Sequence, residues 1–154
     1  MDAKQGSDLA LVTGLYRTTN AAVRELDQRL VREHGVTFIQ AVTLLAITNF
    51  ERPQPHLVAD YLSQQSQTVT GVLDRLERAG HIVRLRDLGD RRAVRLELTA
   101  SGQSLVDAVS DSLRAHMDDV LKGMEPARRK SLRRDLGSLE SSIRSAAPDK
   151  AVNS

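Results

Sequence analysis

Two short stretches hold the side chains best suited to recognition chemistry. In SQQSQTVTGVLDRLERAG, residues 63–80, the small polar groups Ser66, Gln67, Thr68 and Thr70 stand ahead of Gly71 and Arg75. In RDLGDRRAVRLELTASG, residues 86–102, Asp90 directly precedes Arg91 and Arg92 behind a glycine. A primary amide can make paired bonds to the N6 and N7 atoms of adenine, and a threonine hydroxyl bonds in either sense. A guanidinium fits a phosphate or the O6 and N7 of guanine. From Ser66 to Arg95 seven arginines face four acids, Asp74, Glu77, Asp87 and Asp90, although the whole chain carries a formal net charge of only +2. Positive charge is therefore concentrated where the recognition chemistry lies.

Other chemistries find little support. The chain has no cysteine, which removes disulfides, thiolate metal sites and thiol-based redox sensing. His34, His56, His81 and His116 are far apart, and His56 with Asp60 is the only ligand-like spacing, so no metal and no other cofactor is expected. There is no nucleophile-base arrangement, glycine-rich phosphate loop or paired-carboxylate motif, which points away from an enzyme. No apolar run reaches the roughly 18 to 20 residues of a membrane span, and no basic segment followed by a long apolar one opens the chain. The expectation is a cytoplasmic protein without a membrane partner.

These residues must be positioned by a framework that the spacing of apolar residues predicts. At 154 residues, with no Trp, two Tyr and two Phe, the chain is expected to form one domain around an aliphatic core. Leu9, Val12, Tyr16, Thr19, Val23, Leu26 and Leu30 alternate by three and four, a seam along a first helix closed by His34 and Gly35. Thr37 to Gln40 has the form of a capping box, opening a second helix through Ile47. Pro55 suits the start of a short third helix with Leu57, Val58, Tyr61 and Leu62 on its apolar face. In a fourth helix Val69, Val72, Leu73 and Leu76 form the buried stripe, Ala79 continues it and Gly80 is the stop, so Gln67, Thr70, Gly71, Asp74 and Arg78 project outward while Thr68 and Arg75 flank the stripe. Val83 and Leu85, then Val94, Leu96 and Leu98, alternate with charged residues as two paired strands. Thr99 caps a fifth helix, and a sixth begins near Pro126.

A short helix, a polar-tipped helix and a hairpin in succession are the layout of a winged helix-turn-helix, whose natural partner is double-stranded DNA. The fold class is mostly α (α+β): six helices with a two-stranded β-wing. The expected DNA-binding residues are Ser66, Gln67, Thr68, Thr70, Gly71, Arg75, Asp90, Arg91 and Arg92. Gln67, Thr68 and Thr70 would read bases, Arg75 would touch phosphate, and Arg91 and Arg92 would enter the minor groove beside Asp90, which orients the turn. Residues 37–99 would form this region. The helical segments 8–34 and 100–146, whose apolar seams a single copy would leave uncovered, would form a dimerisation region. Tyr16, Arg17 and Asn49 are candidates for lining an effector cleft, with core or surface roles explaining them equally well. The basic run at residues 127–134 reads as a charged exposed face. The alternative reading is a winged-helix module that binds protein instead of DNA.

The run LSQQSQTVTGVLDRLERAGHIVRLRDLGDRRAVRLELTASG, residues 62–102, resembles the MarR family of bacterial transcriptional regulators. Asp90 and Arg92 fall on that family's wing Asp-x-Arg, Leu98, Thr99 and Gly102 on its Leu-Thr-x-x-Gly, and Asp74, Arg75, Leu76 and Gly80 on the end of its recognition helix. The resemblance implies an intertwined homodimer and a pseudo-palindromic operator. It also implies repression as the usual outcome, and relief by a small, commonly phenolic, effector. Two positions depart from the pattern. Gln65 stands where the family often caps the helix with Asp or Ser, so Ser66 is expected to take over the cap, and Gly71 stands where it often has Arg.

Overall fold

The computed structural model describes residues 3–86, 89–90 and 93–146, with side chains from residue 8 onward. Their order is α1 (Ala3–His34), α2 (Phe38–Ile47), α3 (Pro55–Tyr61), α4 (Ser66–Arg78), β1 (Ile82–Arg86), β2 (Val94–Leu98), α5 (Ala100–Val120) and α6 (Pro126–Ala146). The chain divides into two compact units, Met1–Leu113 and Arg114–Ser154, with the boundary inside α5. Among the described residues no single helix is long and apolar enough to cross a membrane.

In the first unit, the expected capping box forms: Gln40 N donates to Thr37 Oγ1, while Thr37 N donates to Gln40 Oε1 at 2.8 Å. The Phe38 amide, at the start of α2, donates to Asp27 Oδ1 at 2.8 Å, which ties the helix to α1. Leu44, Ile47, Val58, Val69, Leu73, Leu76, Ile82 and Leu96 form one aliphatic core shared by α2, α3, α4 and both strands. Leu30, Val36, Ala41 and Val109 form a second cluster. The α1 seam is buried only at its C-terminal end. Leu26 and Leu30 are covered, whereas Leu9, Val12 and Tyr16 are 62%, 65% and 71% exposed.

The turn between α3 and α4 ends α3 in a Schellman motif, with Ser63 N donating to the Asp60 carbonyl and Gln64 N to that of Ala59. Ser63 occupies the left-handed position at φ 53°, where glycine is the usual choice. The apolar face of α3 differs from expectation. Val58 and Ala59 are the buried residues, and Tyr61 stays exposed, its ring edge-on to Phe50 at 5.9 Å. Gly80, at φ +80°, closes α4 in a second Schellman motif and turns the chain into β1.

The strands pair antiparallel with Ile82 opposite Leu98, Arg84 opposite Leu96 and Arg86 opposite Val94. This register corrects the face expected for β1. Ile82 and Arg84 share the inward side with buried Leu96, while Val83, Leu85 and Val94 remain exposed. An arginine stem can line an apolar surface while its head finds acids at the rim, so the Val-Arg-Leu-Arg alternation did not determine which face would turn inward.

Thr99 caps α5 by accepting from Gly102 N at 3.0 Å, and its own hydroxyl donates to the Gly80 carbonyl at 2.6 Å. A Cβ on Gly102 would lie 1.9 Å from the His81 carbonyl oxygen. Glu33 near the end of α1 accepts from Ser112 of α5 and from Arg29. The Ser112 hydrogen bond, with help from Arg29, holds the Glu33 carboxyl below its ordinary pKa despite the opposing effect of burial. A lowered carboxyl pKa favours the folded state above the unfolded value, and that contribution disappears as pH falls through the folded one.

In the second unit the turn between α5 and α6 is held by Arg129 of α6, whose guanidinium donates to the carbonyls of Met124 at 3.0 Å and Leu121 at 2.5 Å. One member of the basic run thus ties down the connection between two helices. No residue of α6 is buried, and Leu136 and Ile143 are 49% and 54% exposed.

Gly102→Ala is expected to lower unfolding stability by about 1–3 kcal/mol through overpacking against backbone. Ser63→Gly is expected to raise it by up to about 1 kcal/mol by relieving the left-handed serine. Urea unfolding midpoints of the two variants should therefore move in opposite directions.

Candidate nucleic-acid interface

The orientation of α4 follows from its buried stripe. Val69, Val72, Leu73 and Leu76 are all at most 2% exposed. At 100° per residue, Gln67, Gly71, Asp74 and Arg78 must then run along the opposite side. Ser66, Gln67, Thr68, Thr70 and Arg75 are exposed, and Gly71 is half-buried.

The N-terminus of α4 corrects the expected cap. Gln65 occupies the cap position with extended backbone and makes no side-chain cap bond, while Ser66 is already helical. A capping side chain must precede the first helical residue, so the Ser66 hydroxyl comes one position too late. The first-turn amides of Ser66, Gln67 and Thr68 therefore receive no side-chain cap, and they carry the positive end of the helix dipole. Thr70 Oγ1 donates to the Ser66 carbonyl at 2.9 Å, which leaves its oxygen lone pairs and methyl group for outward contact.

The arginines of this region sort into two groups. Arg84 pairs with Asp74 and Glu77, and Arg95 pairs with Glu97. Arg75, Arg78 and Arg86 are exposed, and no described residue bonds their guanidinium groups. Arg78 and Arg86 are candidates that sequence reasoning left out of the site. The helical wheel already carried the signal for Arg78, seven residues beyond Gly71 and eleven beyond Gln67 on the outward side. Arg86 had none, because its availability depends on which neighbours take the acids.

At the hairpin tip Asp90 is exposed, and Ala93 N donates to its carbonyl at 3.0 Å. Arg91 and Arg92 lie outside the described residues. Of the residues weighed for an effector cleft, Tyr16 is exposed and Asn49 Nδ2 donates to the Leu45 carbonyl at 3.1 Å. Arg17 lines an open depression of about 360 Å³ with Gly14, Thr18 and Ala21.

Similarity to known proteins agrees with this arrangement. A family model described as MarR family matches residues 34–93. The HTH-type transcriptional regulator TtmR of Methylorubrum extorquens is 30% identical over 146 residues, which cover 95% of this chain and 73% of TtmR. This chain belongs to the MarR family of transcriptional regulators. The MarR fold extends along nearly the whole chain. The transcriptional regulator BldR of Sulfolobus solfataricus superposes with a TM-score of 0.83 at 22% identity, covering 92% of this chain and 99% of BldR. MepR of S. aureus, solved as a DNA complex, matches with a TM-score of 0.73 at 23% identity, covering 84% of this chain and 94% of MepR.

Within the MarR pattern, Gly71 remains a departure with a local cost, since glycine weakens a helix interior by about 1 kcal/mol relative to alanine. A Cβ built there meets nothing within 4 Å. Gly71→Ala should therefore raise thermal stability, by about 0.5–1 kcal/mol, with unchanged helical packing in circular dichroism. A lower melting temperature would mean that the glycine serves a backbone conformation that alanine cannot share.

Proposed function

We propose that the chain binds a pseudo-palindromic double-stranded DNA operator as a homodimer and acts as a ligand-responsive repressor. The observation that carries this reading is the row of exposed polar groups on α4, held outward by a fully buried opposite face and followed by an antiparallel hairpin. Gln67, Thr68 and Thr70 read base edges in the major groove, and the uncapped amides of the first turn meet a phosphate. Arg75 contacts the backbone. Arg92, with Arg91, enters the adjoining minor groove, whose negative potential attracts a guanidinium, and Asp90 orients the turn. Residues 37–99 then form the DNA-binding region.

The homodimer is supported by apolar surface that one copy leaves uncovered. Leu9, Val12 and Tyr16 on α1 and Leu132, Leu136 and Ile143 on α6 follow helical spacing and are exposed. Segments 8–34 and 100–146 are the proposed dimerisation region, and a second copy is the covering partner. A small phenolic molecule is the proposed effector, on the strength of family membership.

Fluorescence anisotropy with duplex DNA from upstream of the gene tests the reading directly. Affinity should fall by orders of magnitude between about 50 and 200 mM salt, as counterion release requires. Arg92→Ala should cost about 1–3 kcal/mol of binding with the fold unchanged. A protein that binds no duplex would instead favour the protein-interaction module. Leu136→Glu should convert a sedimenting dimer into a folded monomer, because the residue is half exposed in one copy yet buried in the proposed interface. A wild-type monomer at micromolar concentration would count against the homodimer.

A further inference from the structure

We propose that Arg84 is a positioning residue for DNA recognition, tying the wing to the recognition helix through Asp74 and Glu77. The proposal rests on the reading of α4 and the hairpin as the two DNA-contacting elements. Arg84 sits in the middle of β1, and its guanidinium spans both carboxylates. Nη2 donates to Asp74 Oδ1 at 2.6 Å, and Nη1 donates to Glu77 Oε2. The Arg84 backbone amide also donates to Glu77, at 3.2 Å to Oε1. Both ion pairs join two different elements, β1 and α4, whereas that of Arg95 with Glu97 stays within β2.

The strand register explains why one residue can do this. Arg84 lies opposite Leu96, and the two amides do not bond across the ladder. In an antiparallel pair such amides point away from the partner strand. The one on β1 reaches Glu77 of α4, and the one on β2 reaches the Pro53 carbonyl at 2.8 Å. The hairpin is thus held along both edges, by α4 on one side and by the α2–α3 connection on the other. Without Arg84 the β1 edge would keep a single neutral-donor bond to Glu77.

The position of the acids gives the pair a further consequence. Asp74 follows Gly71 by three residues and Gln67 by seven, on the outward side of α4. An uncompensated carboxylate there would face the DNA backbone with like charge. Arg84 keeps both acids engaged and is itself three-quarters covered. Burial works against its charge, but the hydrogen bonds and attraction of Asp74 and Glu77 outweigh that cost and leave its pKa raised.

Two measurements on the full chain test the proposal, using R84Q with R84K and E77Q alongside. The first needs no DNA. Amide hydrogen exchange in β1 should speed up by roughly tenfold in R84Q, less in R84K, while amides of the buried α4 residues Leu73 and Leu76 hold their rates. Unchanged β1 exchange, or equal acceleration throughout α4, would overturn the proposal whatever the protein binds. If R84Q fails to fold, the same comparison is made with R84K and E77Q.

The second measurement is a binding cycle on one duplex. The loss caused by R92A in the wild type, on the order of tenfold, should shrink to less than about threefold in the R84Q background, because a detached wing no longer delivers Arg92. The loss caused by Gln67→Ala should persist in both backgrounds. An equal R92A effect with and without Arg84 would overturn the positioning role. Should R92A have no effect in the wild type, the wing contact itself would be wrong, and the exchange result would still decide whether Arg84 holds β1 to α4.

Discussion

Burial of one side of α4 is the constraint on which the rest of the proposed DNA-binding region depends. Val69, Val72, Leu73 and Leu76 pack with Leu44, Ile47, Val58, Ile82 and Leu96 in a core whose buried members are all aliphatic. Each such side chain contributes about 1.5–3 kcal/mol when withdrawn from water. Rotating the helix by one residue would move this stripe by 100°, exposing valine and leucine while burying threonine and glutamine beside apolar neighbours. The outward direction of Gln67, Gly71, Asp74 and Arg78 is therefore a by-product of the core. The proposed reading face needs no interaction of its own to be presented.

The hairpin has a different kind of support. Two strands of five residues are too small to be stable alone. Ile82 and Leu96 anchor them in the core, and the Leu96 amide is satisfied by Pro53. The end next to α5 is closed by a compact joint in which Thr99 bonds Gly80, His81 and Gly102, and only glycine at 102 clears the His81 carbonyl. Electrostatics then divides the arginines. Those that meet an acid, Arg84 and Arg95, become part of the framework, and Arg75, Arg78 and Arg86 have no acid partner among the described residues.

The long helices show the reverse economy. The C-terminal turns of α1 are covered by Val36, Ala41 and Val109, and its earlier turns expose leucine, valine and tyrosine at helical spacing. Helix α6 buries no residue at all. A helix gains most of its stability from packing an apolar face, so two long helices with bare faces are in keeping with the proposed second copy in this MarR-family chain.

Period and punctuation were determined by the sequence alone, because they depend on neighbours within a few positions. The capping box at Thr37, the proline start of α3, the glycine stop at Gly80 and the four-residue stripe of α4 are all local physics, and each element formed where those signals placed it. Tertiary structure decided what local signals leave symmetric. Val83 and Leu85 are more apolar than Arg84, yet Arg84 turned inward, because Asp74 and Glu77 arrived from another element to take its charge. Tyr61, expected on the buried face of α3, stays half exposed with its ring edge-on to Phe50, while Val58 and Ala59 are the residues of α3 that enter the core. Ser66 missed the cap by one residue because the path of the α3–α4 turn set where helical backbone begins. An arginine in a sequence is a fixed charge, but whether it is free depends on which carboxylates the fold brings within reach.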